Sequence, residues 1–155
     1  MELFSGAAAL SLMVATLGLP VAEPIDIMDN DNYDLLRPEV RRMVESRIEV
    51  EDPLLLSMAP VCGPSSPLQN LNEMREEYAD NFYNLRQQWY PVVKWLTDLI
   101  KKRPSNGREV LLENPWPSKI WTLKCMLELL EEAPCNNFTG ELGASATGSM
   151  SVWPQ

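Results

Sequence analysis

The sequence predicts an α/β fold in which helices cover both faces of a mostly parallel sheet. Two observations support this prediction. Short apolar segments alternate with longer segments in which apolar residues recur every three or four positions, an order typical of alternating strands and helices. The composition, 155 residues of which 45% are hydrophobic and 23% charged, suits one globular domain that buries most of its surface.

The first part of the chain is predicted to form a strand, a helix and a second strand. Residues 2–5 are a short apolar strand, and Gly6 turns the chain into a helix rich in Ala, Leu and Met that ends at Gly18. Residues 21–27 are the second strand candidate. Pro24 cannot donate a backbone hydrogen bond, so it must lie at a sheet edge or a bulge.

A second helix and a third strand follow. Pro38 suits the first position of a helix that runs to about residue 50, because its missing N–H needs no partner there. Residues 53–58 are almost continuously apolar, as expected of a strand buried on both faces of a parallel sheet. The prolines, glycine and serines between residues 59 and 72 then predict a long irregular loop.

The second half of the chain is predicted to add two helices and one strand to the domain, which spans residues 1–133. Residues 110–113 form the next buried strand, and Ser118 caps the last helix. Residues 134–155 are rich in Gly, Ser, Thr and Asn, which predicts a disordered tail. The longer helix, residues 74–103, has an apolar face formed by Tyr78, Phe82, Leu85, Trp89, Val92, Leu96 and Leu99.

Composition excludes several kinds of chemistry. The chain has no histidine, which rules out the Ser-His-Asp triad, the Cys-His dyad and His-ligated zinc. Its three cysteines, Cys62, Cys125 and Cys135, form neither a disulfide framework nor a four-cysteine zinc site, so no metal is expected. The net charge of -9 has the wrong sign for holding nucleic acid by phosphate neutralisation alone. Catalysis would have to depend on cysteine, carboxylates or a cofactor.

The loops that follow the strands of a parallel sheet meet at its carboxyl edge, where ligands bind near the switch in strand order. Gly6 lies in the first such loop. Asp26 follows that strand by about the 20 residues at which nucleotide-binding folds place an acid on the ribose hydroxyls, and Glu23 is the alternative acid. It is an equally open interpretation that Gly6 only turns the chain and Asp26 is a solvated loop acid.

The second and third loops carry candidate catalytic groups. Cys62 lies in a proline-rich loop just past a buried strand, and it is a nucleophile if its thiolate is stabilised there. The alternative is an inert, buried cysteine. Glu113 and Asn114 follow the strand at 110–113, so they would face the same pocket, where a carboxylate can donate a proton.

Three short motifs together resemble the catalytic half of the cytosine-5 DNA methyltransferases. They are Leu-Phe-Ser-Gly near the start, Pro-Val-Cys-Gly-Pro-Ser-Ser in the middle and Leu-Glu-Asn-Pro at the later strand end. More narrowly, the chain resembles the methyltransferase-like segments of retroelement-derived polyproteins of some algae. The resemblance covers residues 2–130 and implies a Rossmann-like methyltransferase fold that is incomplete at its C-terminus. It also implies S-adenosylmethionine as the cofactor and DNA as a partner.

The resemblance assigns the cofactor to the first loop. Phe4, Ser5 and Gly6 would lie against S-adenosylmethionine, and Asp26 would take its ribose hydroxyls. A methyl group at Ala7 departs from the glycine-rich turn of the family and would stand beside the cofactor.

The resemblance assigns catalysis to the other two loops. Cys62 would attack C6 of a cytosine flipped out of the duplex, and Glu113 would bond the N3 side of the ring so that C5 takes the methyl group. Pro60, Ser66 and Asn114 would bind the substrate base and hold the loops around it.

Two functions follow from this interpretation. The first is transfer of a methyl group to C5 of cytosine in DNA. The chain ends soon after the third motif, so a second chain is expected to supply target recognition, and the isolated chain can be inactive. The alternative is a non-catalytic remnant that acts as a binding or assembly module in a retroelement-derived protein.

The expected location is intracellular, in the nucleus or cytoplasm. The apolar run at residues 6–22 could pass for a signal peptide, but Glu2 is the one charged side chain before it, whereas secretion requires positive charge there. Gly18 and Pro20 leave the run too short to span a membrane.

Overall fold

The computed structural model describes residues 1–66, 69, 75–103, 108–115, 117–132, 135–140 and 147–152. Its centre is a sheet of three parallel strands, β1 (Glu2–Leu3), β2 (Leu55–Met58) and β3 (Glu109–Glu113), in the order β1-β2-β3. Leu3 also forms a parallel bridge with Ile25 on the other side of β1. The prediction of an α/β fold with a parallel sheet is therefore confirmed.

Four of the helices that the described residues form connect and follow these strands. They are α1 (Ala9–Thr16), α2 (Pro38–Glu51), α3 (Glu76–Lys102) and α4 (Lys124–Glu132). Connections between parallel strands are right-handed, which puts α1 on one face of the sheet and α2 and α3 on the other. A hydrogen bond of 2.7 Å from Trp95 Nε1 on α3 to Glu45 Oε1 on α2 agrees with the shared face.

The hydrophobic core lies on the face that α2 and α3 cover. Alternate residues of the three strands, from Leu3 to Leu112, point to this face, and α2 adds Val40, Val44 and Ile48 at four-residue intervals. On the opposite face α1 packs over the start of β1, where Ser11 N donates to Glu2 Oε2 at 2.8 Å and both residues are buried. The strand predicted to be buried on both faces is so at Leu56, Ser57 and Met58, which are consecutive and all buried, whereas Leu55 at its start is 36% exposed. Burial alternates along β3.

Helix α3 contributes only its second half to the core. Val92, Leu96 and Leu99 are buried as predicted, together with Trp95. Tyr78, at the start of the same apolar face, is 40% exposed.

Two predicted elements take a different form. The strand predicted at 21–27 is reduced to the single bridge at Ile25, beside Pro24, which has no N–H for a ladder. The last helix is split in two, because Ser118 caps a 3₁₀ turn, Lys119–Thr122, and α4 begins only after Leu123.

Two further strands extend the sheet beyond β3. Strands β4 (Cys135–Gly140) and β5 (Thr147–Val152) pair antiparallel with each other, and β5 pairs antiparallel with β3, giving the order β1-β2-β3-β5-β4. They lie within residues 134–155, where the sequence predicted a disordered tail, and the rest of that segment lies outside the described residues. Polar and apolar or small residues alternate from Thr147 to Val152, a pattern that favours a strand.

The order of the strands creates a switch point next to β1. The chain leaves β1, forms the Ile25 bridge on one side of it, and then crosses back to form β2 on the other side. Ligands of open α/β sheets bind at such a point, outside the carboxyl ends of the strands. The loops after Leu3 and Met58 therefore flank the expected binding crevice.

Candidate functional site

The first loop, residues 4–8, has a strained backbone. Phe4, Gly6 and Ala8 all lie in the left-handed region, with φ of 56°, 51° and 50°. This conformation costs a residue with a Cβ about 1–2 kcal/mol, so tertiary contacts must hold it. Two backbone bonds do so, from Phe4 N to Ile25 O at 2.9 Å and from Ala8 N to Ser5 O at 2.8 Å.

Asp26 joins the first loop to the end of the neighbouring strand. Its Oδ2 accepts a hydrogen bond from Gly6 N at 2.8 Å, and its Oδ1 accepts one from Met28 N at 2.8 Å. Glu23, the alternative acid, instead pairs with Arg47 at 3.5 Å and is 65% exposed. The structure therefore brings Gly6 and Asp26 together, as the spacing predicted.

The other two residues of the predicted cofactor loop are half-buried. The ring of Phe4 lies 6.1 Å from the ring of Trp89 on α3, centroid to centroid, with the planes at 44°. The Oγ of Ser5 is buried and has no hydrogen-bond partner. Trp89 lies on the predicted apolar face of the long helix. It is half-buried and adjoins the first loop, a neighbour that helical periodicity does not reveal.

The second loop places Cys62 at the start of a 3₁₀ turn, Gly63–Ser65. Cys62 is half-buried, and its carbonyl accepts a hydrogen bond from Ser65 N at 2.9 Å. Pro60 is buried and Ser66 is half-buried. The loop starts from the sheet, because Ala59 N still donates to Leu3 O at 3.2 Å.

The third loop contacts the second through Asn114. Its Nδ2 donates to Pro60 O at 2.7 Å, and its Oδ1 is buried without a partner. Asn114 is 1% exposed, whereas Glu113 is half-buried at the last position of β3. The structure thus joins the predicted residues Asn114 and Pro60. Trp116, close to this loop in sequence, lies outside the described residues.

Ser118 is a site residue that sequence reasoning assigned to a different role. Its Oγ donates to Ser65 O at 3.5 Å and accepts from Ile120 N at 3.3 Å. The capping position predicted the second of these bonds. The first depends on the approach of two loops that are far apart in the sequence, for which the sequence holds no local signal.

The space beside the Cα atom of Gly6 can accommodate a ligand. A Cβ placed at Gly6 would meet no atom within 4 Å, so the space on that side of the loop is open. Asp26 accepts two hydrogen bonds, and an ionised carboxylate has about four acceptor positions, so it can also accept from the hydroxyls of a ribose. The open space at Gly6 and the remaining acceptor positions of Asp26 leave room for a polar ligand at this loop.

Three basic residues, Lys101, Arg103 and Arg108, lie at the opposite, amino edge of the sheet. Lys101 pairs with Glu132 at 2.7 Å, Arg108 forms a two-pronged pair with Asp52, and Arg103 donates to Pro53 O. The hydrogen bond from Arg108 holds the pKa of Asp52 below its ordinary value. These cations stabilise helix ends and strand starts and do not face the three loops.

Two cavities among the described residues also lie at that amino edge. One, of about 620 Å³, lies between α1 and the starts of β1 and β2 and is lined by residues such as Leu10, Val14 and Leu55. The other, of about 290 Å³, is lined by charged residues that include Glu45 and Arg103. Neither includes a residue of the predicted site.

Within the described part of the chain, no cluster of three or more Cys, Asp or Glu residues is arranged to hold a metal ion. No helix there has the length and apolar character needed to cross a membrane. Comparisons with protein-family models and with curated proteins found no match to this chain.

Proposed function

We propose that the chain binds S-adenosylmethionine at the carboxyl edge of the sheet and transfers its methyl group to C5 of a cytosine. The observation that carries this proposal is the hydrogen bond between Gly6 N and Asp26 Oδ2 at the switch point next to β1. A turn with exposed backbone next to an acid at the end of the adjacent strand suits a nucleoside with a free ribose. The three motifs that resemble the cytosine-5 methyltransferases lie at the same edge.

In this proposal the chain's own residues activate the base. Cys62 Sγ adds to C6 while Glu113 hydrogen-bonds the N3 side of the ring, so that electron density builds at C5. S-adenosylmethionine supplies the electrophilic methyl group. Formation of the C5–CH3 bond would break the S–CH3 bond of the donor and release its demethylated thioether. Water would then take the C5 proton as the Sγ–C6 bond breaks, which restores the aromatic ring and the Cys62 thiolate. Bringing thiol, acid and methyl donor together lowers the entropic barrier of the reaction.

A transfer assay tests the catalytic part of this proposal. Labelled methyl incorporation into cytosine-containing DNA is measured for the wild type, for Cys62→Ala and for Cys125→Ala. Cys125 is buried on α4 and serves as the matched control. We expect Cys62→Ala to abolish incorporation and Cys125→Ala to retain it, with both variants folded by circular dichroism. Incorporation by Cys62→Ala would overturn the assignment.

The second candidate function is a non-catalytic binding or assembly module. It is favoured by the apolar surface of α1, where Leu12, Met13 and Leu17 are 63%, 66% and 70% exposed beside the larger cavity. Exposed apolar patches of this kind mark interaction surfaces. Binding of S-adenosylmethionine without incorporation by the folded wild type would favour this candidate.

A further inference from the structure

Two polar side chains hold the Cys62 loop from both sides. Asn114 Nδ2 donates to Pro60 O, two residues before Cys62, and Ser118 Oγ donates to Ser65 O, three residues after it. Both side chains are almost fully buried, with exposures of 1% for Asn114 and 2% for Ser118. The loop is thus fixed at a carbonyl on each side of the thiol.

The backbone bonds seen within the described part of the loop are local. Past the bond from Ala59 N to Leu3 O they include two short-range turns, from Ser65 N to Cys62 O and from Ser66 N to Gly63 O. Turns of this kind shape the loop locally but do not attach it to the sheet. The bonds from Asn114 and Ser118 attach it to the segment that follows β3.

Burying Asn114 is costly, which argues that the bond to Pro60 O has a purpose. Its Oδ1 has no partner, and a buried polar atom without one destabilises the fold. A leucine would fill a similar volume without that cost. The amide N–H is the feature that a leucine would lack.

The anchor is itself rigid. Ser118 Oγ also caps the 3₁₀ turn through Ile120 N, and Trp121 Nε1 donates to Pro115 O at 3.0 Å. The segment between β3 and α4 therefore has a defined shape before it contacts the second loop.

We propose that Asn114 and Ser118 are positioning residues that hold the loop at residues 60–66 in one conformation and so orient the Cys62 thiol at the carboxyl edge of the sheet. The catalytic meaning of this clamp rests on the proposed function, in which Cys62 is the nucleophile. The clamp itself, defined by the bonds of Asn114 and Ser118 to Pro60 O and Ser65 O, can be tested without any substrate.

The variants separate hydrogen bonding from packing. Asn114→Leu keeps the shape of the side chain and removes the donor, and Asn114→Asp removes the donor with the smallest change in size. Ser118→Ala removes the hydroxyl, whereas Ser118→Thr keeps it. Asn84→Asp and Ser46→Ala, at exposed helix positions, are the matched controls.

The measurements are peptide-resolved hydrogen exchange over residues 61–66 and the rate at which iodoacetamide labels Cys62, with Cys125 as an internal reference. We expect Asn114→Leu and Ser118→Ala to raise loop exchange and Cys62 labelling about tenfold, because each opens the loop locally. The labelling rate of Cys125 should stay at its wild-type value in every variant. In Ser118→Thr and in both controls, loop exchange and Cys62 labelling should also equal those of the wild type. If Asn114→Leu does not fold, Asn114→Asp and Ser118→Ala make the same test.

Two results would overturn the clamp. One is unchanged loop exchange and Cys62 labelling in folded Asn114→Leu and Ser118→Ala. The other is an equal rise in the labelling rate of Cys125, which would indicate general loosening of the fold.

In the transfer assay, the clamp variants should lower kcat and leave KM for S-adenosylmethionine unchanged. A wild type that transfers no methyl group would refute the proposed function, while the labelling experiment would still decide the clamp.

Discussion

Side-chain hydrogen bonds join the first loop to the segment at Asp26, and the second loop to the third, at the carboxyl edge of the sheet. Asp26 contacts Gly6 across 20 residues of sequence, and Asn114 contacts Pro60 across 54. Each bond exists only when the strands are correctly ordered, so the site depends on the complete parallel sheet. Single substitutions at these positions therefore test the site and the fold together, and they need controls at exposed positions.

The two cysteines with described side chains differ in their surroundings. Burial raises the pKa of the Cys125 thiol above its ordinary value of 9.0. We expect iodoacetamide to label Cys125 more slowly than the half-buried Cys62 at about pH 8, because the thiolate is the reactive form. Labelling followed by peptide mass spectrometry measures both rates, and equal rates would contradict the expectation.

The same shift makes stability depend on pH. The unfolded chain ionises this thiol near 9.0, whereas the folded chain keeps the proton to higher pH. The unfolded state thus binds fewer protons in this window, so the free energy of unfolding falls as pH rises above 9.0. Urea titrations measure the free energy of unfolding at about pH 8 and about pH 10. Its decrease between these two pH values should be smaller for Cys125→Ala than for the wild type.

Sequence reasoning located the acid at the first loop because spacing alone carries that signal. The distance between Asp26 and the Gly6 turn follows from the length of a strand, helix and strand unit, which is similar in all such folds. Two other contacts join different loops and helices: Ser118 contacts Ser65, and Trp89 contacts Phe4. No local pattern encodes such contacts, so they could not be predicted.

At the scale of elements, α1 starts at an unfavourable residue. Ala8, which precedes its first turn, is left-handed with φ of 50° and makes no side-chain cap. We expect Ala8→Gly to raise the free energy of unfolding by about 0.5–1 kcal/mol, because glycine adopts this conformation without steric cost. The matched Ala15→Gly, within the helix, should lower it by about 0.5–1 kcal/mol. Urea denaturation of both variants measures the difference, and a destabilised Ala8→Gly would contradict the role of strain.

Periodicity identified the helices but not how much of each is covered. The apolar positions of α3 continue with the same spacing from Tyr78 to Leu99, yet burial begins near Val92, where the helix reaches the sheet. Similarly, the apolar run before Met58 predicted a strand buried on both faces, and this holds for residues 56–58 but not for Leu54 and Leu55, which are 68% and 36% exposed. Whether a surface is covered depends on the other elements, which a single segment does not reveal.

At the scale of the whole molecule, one hydrophobic core lies between the sheet and the helices α2 and α3. Leu96 is completely buried there, whereas Leu12 on α1 is 63% exposed. We expect Leu96→Ala to lower the free energy of unfolding by about 2–5 kcal/mol, and Leu12→Ala to change it by less than about 0.5 kcal/mol. Urea denaturation tests both values. Similar losses in the two variants would mean that α1 is covered in solution.

The central claim is that the loops at the carboxyl edge of the sheet form a binding site for S-adenosylmethionine. Titration calorimetry with this compound and with its demethylated product, on the wild type, Asp26→Ala and Asp29→Ala, tests it most directly. Asp29 is an exposed acid in the same segment and serves as the matched control. We predict micromolar binding by the wild type and by Asp29→Ala, and its loss in Asp26→Ala. A folded wild type that binds neither compound, or an Asp26→Ala variant that binds as the wild type does, would contradict the claim.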